Sequence, residues 1–155
     1  MTTLAARLAA RVREEGPLPF AAFVDAALYD EADGFYATRG SAGRRGDFLT
    51  SVEVGPLFGE VIARALDDCW RELGRPDRFR VVEAGAGRGT LGRAVRAARP
   101  ECADALEYVL VERSARLRAD HPDGSPFRSA EAMPSDRAVG VVLANELLDN
   151  LAFDL

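Results

Sequence analysis

The sequence predicts an α/β fold, a parallel sheet preceded by an N-terminal helical segment, and three observations carry that reading. After residue 76, short and nearly continuous apolar runs alternate with helical patterns, as in parallel strands covered on both faces. The first of these runs enters a turn with glycine at alternate positions, Gly85, Gly87 and Gly89, and a helical pattern follows at once. Before residue 76 the apolar positions recur at helical spacing. The boundaries drawn from this are a helical segment with a Gly-Asp-Phe-Leu-Thr-Ser loop over 1–76 and a partial sheet domain over 77–155. At 155 residues and 48% hydrophobic content the chain suits one core rather than two.

Residues 3–15 place Leu4, Leu8 and Val12 on one helical stripe, and Gly16-Pro17 ends it. Pro19 opens a second helix over 20–29 with Phe23, Val24, Ala27 and Leu28 as its apolar stripe. Gly34-Phe35-Tyr36 reads as a short extended piece, and the Gly- and Arg-rich residues 39–46 as a mobile loop. A helix over 56–73 would bury Phe58, Ile62, Leu66, Cys69 and Trp70, stopping at Gly74-Arg75-Pro76. Strands are predicted at 80–83, 108–111 and 139–144, with a weak third one near Phe127-Arg128. Helices are predicted over 90–98 and, capped by Ser114, over 114–118; residues 121–126 read as a turn-rich loop. His121 has no evident partner in that loop.

Composition removes several chemistries. The net charge of −5 gives no footprint for nucleic acid. Every one of the 20 basic residues is arginine, so Schiff-base chemistry, a P-loop lysine and a lysine base are excluded. Two distant cysteines and one histidine do not assemble a zinc site of ordinary ligand type, and no metal is expected. No apolar run reaches membrane-spanning length, so no membrane partner is expected. The N-terminal Arg-bearing amphipathic stretch carries Glu14 and Glu15, which speaks against a transit peptide, and it is read as a cytoplasmic helix.

The glycine turn binds a nucleoside cofactor in this reading. Missing side chains let a ligand approach the backbone, and a helix N-terminus offers unpaired N–H groups. A nicotinamide fingerprint would place its last glycine at position 90, which is Thr90 here. Glu83, at the strand end before the glycines, would repel a pyrophosphate but can meet the ammonium group of S-adenosylmethionine. Glu112 ends the next strand and would accept from both ribose hydroxyls, a role shared with NAD enzymes.

Several stretches resemble the MidA-like methyltransferases, whose mitochondrial members assist assembly of respiratory complex I. They are FAAFVDAALYDEADGFYAT, GDFLTSVEVGPLFGEVIARALDDCW, VVEAGAGRGTLGRAV, YVLVERSARLR and ANELLDN, in family order from Phe20 onward. Ala86, Val52 and Ala152 stand where members of the family often carry proline. The resemblance implies a Rossmann-like class I methyltransferase fold, with strand order 3-2-1-4-5-7-6 of which strands 1 to 4 lie here. It implies S-adenosyl-L-methionine as cofactor, held by Gly85, Gly87, Gly89 and Glu112, with Glu83, Thr90 and Thr50 completing the set. The loop from Gly46 to Thr50 would fold over the cofactor.

For catalysis the resemblance puts Asn145 and Glu146 facing the transferred methyl and Glu53 near the acceptor, with Asp47 behind them. A protein arginine is the implied acceptor, so a protein substrate is the implied partner. The alternatives are a SAM-binding scaffold without turnover and, further off, an NAD(P)-linked oxidoreductase. Members of the family are about twice as long as this chain. Strand four would then be an apolar edge without proline or charge, and self-association or a sheet-completing partner chain is expected there.

Overall fold

The computed structural model describes residues 2–38 and 56–154. They form α1 (Leu4–Glu15), α2 (Phe20–Tyr29), α3 (Phe35–Thr38), α4 (Pro56–Glu72), β1 (Phe79–Ala84), α5 (Thr90–Ala97), β2 (Leu106–Val111), α6 (Ala115–Arg118), β3 (Phe127–Ala130) and β4 (Gly140–Ala144). Short 3-10 turns lie at Glu101–Asp104 and Leu148–Asn150. The chain divides into two compact units, one of Ala42–Asn145 and one of Met1–Ser41 with Glu146–Leu155.

The first unit holds a four-stranded parallel sheet in the order β3-β2-β1-β4, the order the family resemblance implies for its first four strands. β1 pairs β2 from Phe79↔Leu106 to Ala84↔Val111, and β4 from Arg80↔Gly140 to Ala84↔Ala144. Side chains alternate between faces, so Phe79, Val81, Tyr108, Leu110 and Phe127 share one face with Leu91 and Val95 of α5 and with Ala63 and Leu66 of α4. Each large side chain fully buried there contributes ~1.5–3 kcal/mol. The opposite face carries the smaller cluster of Val82, Val109 and Val111 beside Ala130. Nearer the strand starts, Arg80 bridges Glu107 at 3.1 Å and Asp136 at 2.8 Å.

Two glycines set how closely the helices approach. A Cβ on Gly59 of α4 would come within 2.4 Å of the Ala94 Cβ on α5, so the two helices touch there. A Cβ on Gly92 would lie 3.1–3.2 Å from Phe127, Leu110 and Tyr108, which lets α5 lie low on the sheet. β4 is an edge of the sheet among the described residues, and Val142 on it is 65% exposed.

The second unit is built differently. Neither α1 nor α2 buries a residue, so the stripes expected on Leu4, Leu8 and Val12 and on Phe23 to Leu28 are not a core. Polar and aromatic contacts tie the elements: Arg7 reaches Asp30 at 2.7 Å and Asp33 at 2.9 Å, and Phe20 meets Phe153 edge-on with ring centroids 5.3 Å apart. The extended piece expected at Gly34-Phe35-Tyr36 is corrected to the helical turn α3. The Gly34 carbonyl accepts from the Ala37 and Thr38 amides and from the Thr38 hydroxyl, and Tyr36 stacks on Tyr29 with ring centroids 5.5 Å apart. The weak third strand is a full partner of β2, from Tyr108↔Phe127 to Val111↔Ala130. The loop expected at 39–46, and the residues from Asp47 to Glu53, lie outside the described residues.

Candidate functional site

β1 ends at Ala84, and the chain turns at the carboxyl ends of the parallel strands, where ligands of open α/β sheets bind. The turn begins with the amides of Gly85 and Ala86, both donating to the Val111 carbonyl at 2.9 Å. Gly85, Gly87 and Gly89 have φ of 72°, 55° and 76°, the left-handed region that only glycine enters cheaply. Gly89 caps α5, whose first residue is Thr90.

The glycines do different work. Among the described residues a Cβ at Gly87 would meet no atom within 4 Å, so they leave open space over that backbone that a larger residue would fill. This cradle fits a ligand laid against bare backbone, as a nucleoside cofactor requires. At Gly89 a Cβ would come 3.1 Å from Pro122 and 3.2 Å from Leu110, so that glycine serves packing.

Glu112 follows β2 and reaches across to the turn. Its Oε2 accepts from the Gly87 amide at 3.0 Å and its Oε1 from the Ser114 amide at 2.7 Å. A carboxylate offers about four lone-pair directions, so two acceptor positions remain for a diol. The Ser114 hydroxyl in turn accepts from the Leu117 amide and caps α6.

Glu83 points elsewhere. It lies on the helix-covered face of β1, 5% exposed, and its Oε2 accepts from the Tyr108 hydroxyl at 2.9 Å. The Gly92 amide of α5 donates to it as well. Burial pushes its carboxyl up to about 7, against which those two donors pull down. Burial first, and the neighbouring Glu83, push the Tyr108 phenol up too. The carboxyl expected to meet an ammonium group thus has both its protein partners in the core.

Asn145 follows β4, and the Ala84↔Ala144 pairing sets it level with the start of the glycine turn. Glu146 belongs to the other compact unit and has φ 52°, an uncommon backbone for a residue with a side chain. Its carbonyl accepts from the Asn150 side chain at 2.8 Å. Asn150 also takes the Tyr36 hydroxyl on its side-chain oxygen and the Tyr29 hydroxyl on its carbonyl, the latter at 2.8 Å. Asp47, Thr50 and Glu53 lie outside the described residues. The structure therefore brings together Gly85, Gly87, Gly89, Thr90 and Glu112.

His121 is the residue that sequence reasoning passed over. It is 8% exposed, with Nε2 2.9 Å from the Gly87 carbonyl and Nδ1 2.8 Å from the Ser129 hydroxyl. No spacing rule ties residue 121 to residue 87. The available signal was a single polar ring between a helix end and a Pro/Gly turn. Burial first holds its pKa below the ordinary histidine value, against the pull of the Gly87 carbonyl and Glu112. Cys102 is buried and pushed up to about 12, which makes it a poor nucleophile. Among the described residues no cluster of His, Cys, Asp and Glu could hold a metal ion, and no helix is long and apolar enough to cross a membrane.

A family model of S-adenosyl-L-methionine-dependent methyltransferases matches residues 61–155. A Drosophila melanogaster relative, a mitochondrial protein arginine methyltransferase NDUFAF7 homolog, is 42% identical over 93 residues, 60% of this chain and 21% of its own. The Homo sapiens mitochondrial protein arginine methyltransferase NDUFAF7 is 34% identical over 91 residues, 59% of this chain and 21% of its own. These alignments span about a fifth of the curated relatives' length. A Burkholderia thailandensis crystal structure with S-adenosyl-homocysteine bound has TM-score 0.78 and 33% identity, over 96% of this chain and 42% of that one. A second structure from that organism has TM-score 0.76 and 32% identity, over 96% and 40%. The cytoplasmic assignment is overturned, because the named relatives are mitochondrial proteins. Glu14 and Glu15 interrupt one amphipathic stretch and do not determine a compartment.

Proposed function

The chain belongs to this family of S-adenosyl-L-methionine-dependent methyltransferases, and on that premise we propose that it holds S-adenosylmethionine at the glycine turn and methylates a protein side chain, arginine being the favoured acceptor. The observation that carries the proposal is the open cradle over Gly87 with Glu112 bonded to the same peptide. The S-adenosyl-homocysteine in the Burkholderia structure supports the ligand, and the names of the curated relatives support the acceptor.

Bound S-adenosylmethionine supplies a methyl group already activated by its sulfonium charge. What the chain adds is grip and orientation. Gly87 keeps the approach to the backbone clear, Gly85 and Gly89 supply the left-handed backbone of the turn, Thr90 opens the helix beyond, and Glu112 would take the two ribose hydroxyls. Glu83 acts one layer down, fixing α5 to the sheet through Gly92 and Tyr108. Asn145 would fix the acceptor through its amide. Glu146, with Glu53 and Asp47, would orient a guanidinium and take its proton. The left-handed backbone of Glu146, secured by Asn150, supports a placed role, since such backbone gathers at functional sites.

Calorimetry with S-adenosylmethionine tests the site. The wild type binds, and Gly87→Val, which forces a branched residue into φ 55° and fills the cradle, weakens binding about tenfold or more. Equal affinity in a folded variant would sink the assignment. For the partner, β4, an edge of the sheet among the described residues, supports pairing with a further strand from another chain. Light scattering at tens of micromolar checks this, and a stable monomer argues against it.

A further inference from the structure

We propose that His121 is a positioning residue of the cofactor turn, holding the Gly87 carbonyl while Glu112 holds the Gly87 amide, and that the protonation of its ring is coupled to cofactor affinity. The inference rests on the cofactor reading above and goes beyond it.

The geometry assigns the protons. A carbonyl oxygen only accepts, so the nitrogen 2.9 Å from the Gly87 oxygen, Nε2, carries a hydrogen. In the neutral ring Nδ1 is then bare and accepts from the Ser129 hydroxyl at 2.8 Å. Gly87 is thus held at both of its backbone groups, the N–H by Glu112 and the C=O by His121, two side chains of the single connection between β2 and β3. Gly87 has no side chain to wedge it in place and a φ of 55°, so these two bonds act directly on its backbone, beside the Gly89 amide that donates to the Ala86 carbonyl at 2.8 Å. Without the imidazole, the Gly87 carbonyl loses this bond and the peptide that follows it is less firmly placed, which loosens the cradle.

Nδ1 is also the site where a proton enters, because Ser129 is exposed while the ring is buried. The charged and titratable groups around the ring come from every neighbouring element. Glu112 at the end of β2 favours the charged ring, while Arg93 of α5 and Arg118 of α6 oppose it. Arg88 of the glycine turn is paired at 3.2 Å with Asp120, next to His121 in sequence. Asp123 lies in the same loop, and Arg128 and Glu131 lie close to Ser129 in sequence. Burial keeps the balance on the neutral side. A charged ring would sit one peptide away from Glu112 and compete for its field with a cationic ligand. By reciprocity, a ligand that binds the neutral form better must lower the ring's pKa.

The chain contains one histidine, so its imidazole gives a single Hε1 resonance. That resonance, titrated with and without S-adenosyl-homocysteine, is read beside calorimetry on His121→Leu and His121→Gln. We expect the leucine variant to lose about tenfold in affinity, and the glutamine variant, whose amide can reach the same carbonyl, to recover most of it. The bound ligand should lower the imidazole pKa by about half a unit or more. S-adenosylmethionine, with its extra positive charge, should lose more affinity than S-adenosyl-homocysteine on acidification. A wild type that binds neither compound overturns the cofactor reading and this inference with it. A wild type that binds, with variants of equal affinity and an unmoved resonance, overturns the role of His121 alone. Should the leucine variant not fold, the resonance decides, and an imidazole that ignores the ligand overturns the proposal.

Discussion

Two acidic strand ends, one at Glu83 and the other at Glu112, carry the same functional group, are both buried, and do different things. Glu83 sits inside the sheet–helix layer with a phenol and a helix amide for partners, and its carboxyl is pushed up to about 7. Glu112 sits one residue beyond its strand, at the rim, and takes two backbone amides from two turns. The difference comes from register. Glu83 is still within β1, where alternation sends its side chain to the face that α5 covers, whereas Glu112 has left β2 and points along the strand ends. One acid therefore belongs to the architecture of the site, and the other to its surface.

The largest expected effect separates the two by stability. Glu83→Ala leaves the Tyr108 hydroxyl and the Gly92 amide without a partner under α5, at a cost of about 3 kcal/mol in urea unfolding. Glu112→Ala strands the Gly87 and Ser114 amides at the rim, where water can replace the carboxylate, so about 1 kcal/mol is expected. For cofactor affinity the order reverses. Glu112→Ala should weaken S-adenosylmethionine binding about tenfold or more by calorimetry, in line with the loss of a charged acceptor. If Glu83→Ala retains its stability, or if Glu112→Ala binds as tightly as wild type, the contrast breaks.

The same contrast shows what was legible in the sequence. The glycine spacing, the acid after Leu110-Val111 and the strand–helix alternation are local patterns, and they located Gly85 to Thr90 and Glu112 correctly as neighbours. Parity along β1 was legible too, since Phe79, Val81 and Glu83 alternate with Arg80 and Val82, but which face a helix would cover depends on tertiary packing. His121 depends on a contact between residues 34 positions apart, for which the sequence has no period to offer. In the helical unit the sequence put apolar stripes on α1 and α2, yet neither helix buries a residue, and the described contacts combine ion pairs, ring contacts such as Tyr29 on Tyr36, and tyrosine hydrogen bonds to Asn150. A stripe says which face is apolar and not what will cover it.

The smallest effect is the most diagnostic for Glu83. Its carboxyl rises from an ordinary 4.5 to about 7, so the folded chain binds a proton that the unfolded chain has lost. Stability is therefore fully present below pH 4.5 and falls as pH rises through 7. His121 runs the other way. Its pKa is held down, so the unfolded chain binds the proton first and stability is lost as pH falls below the ordinary histidine value. The two slopes partly cancel in the wild type, and a flat profile would hide both. Glu83→Gln separates them, because the amide can accept from Gly92 and donate to the Tyr108 oxygen while carrying no titratable proton. Relative to wild type, its urea stability should improve by about 1 kcal/mol between pH 6 and pH 8. Affinity for S-adenosylmethionine should stay within about twofold, the range of a site not touched directly. A difference that does not change with pH would mean that Glu83 is ionised in the folded chain, and that the ammonium of the cofactor is again a candidate partner for it.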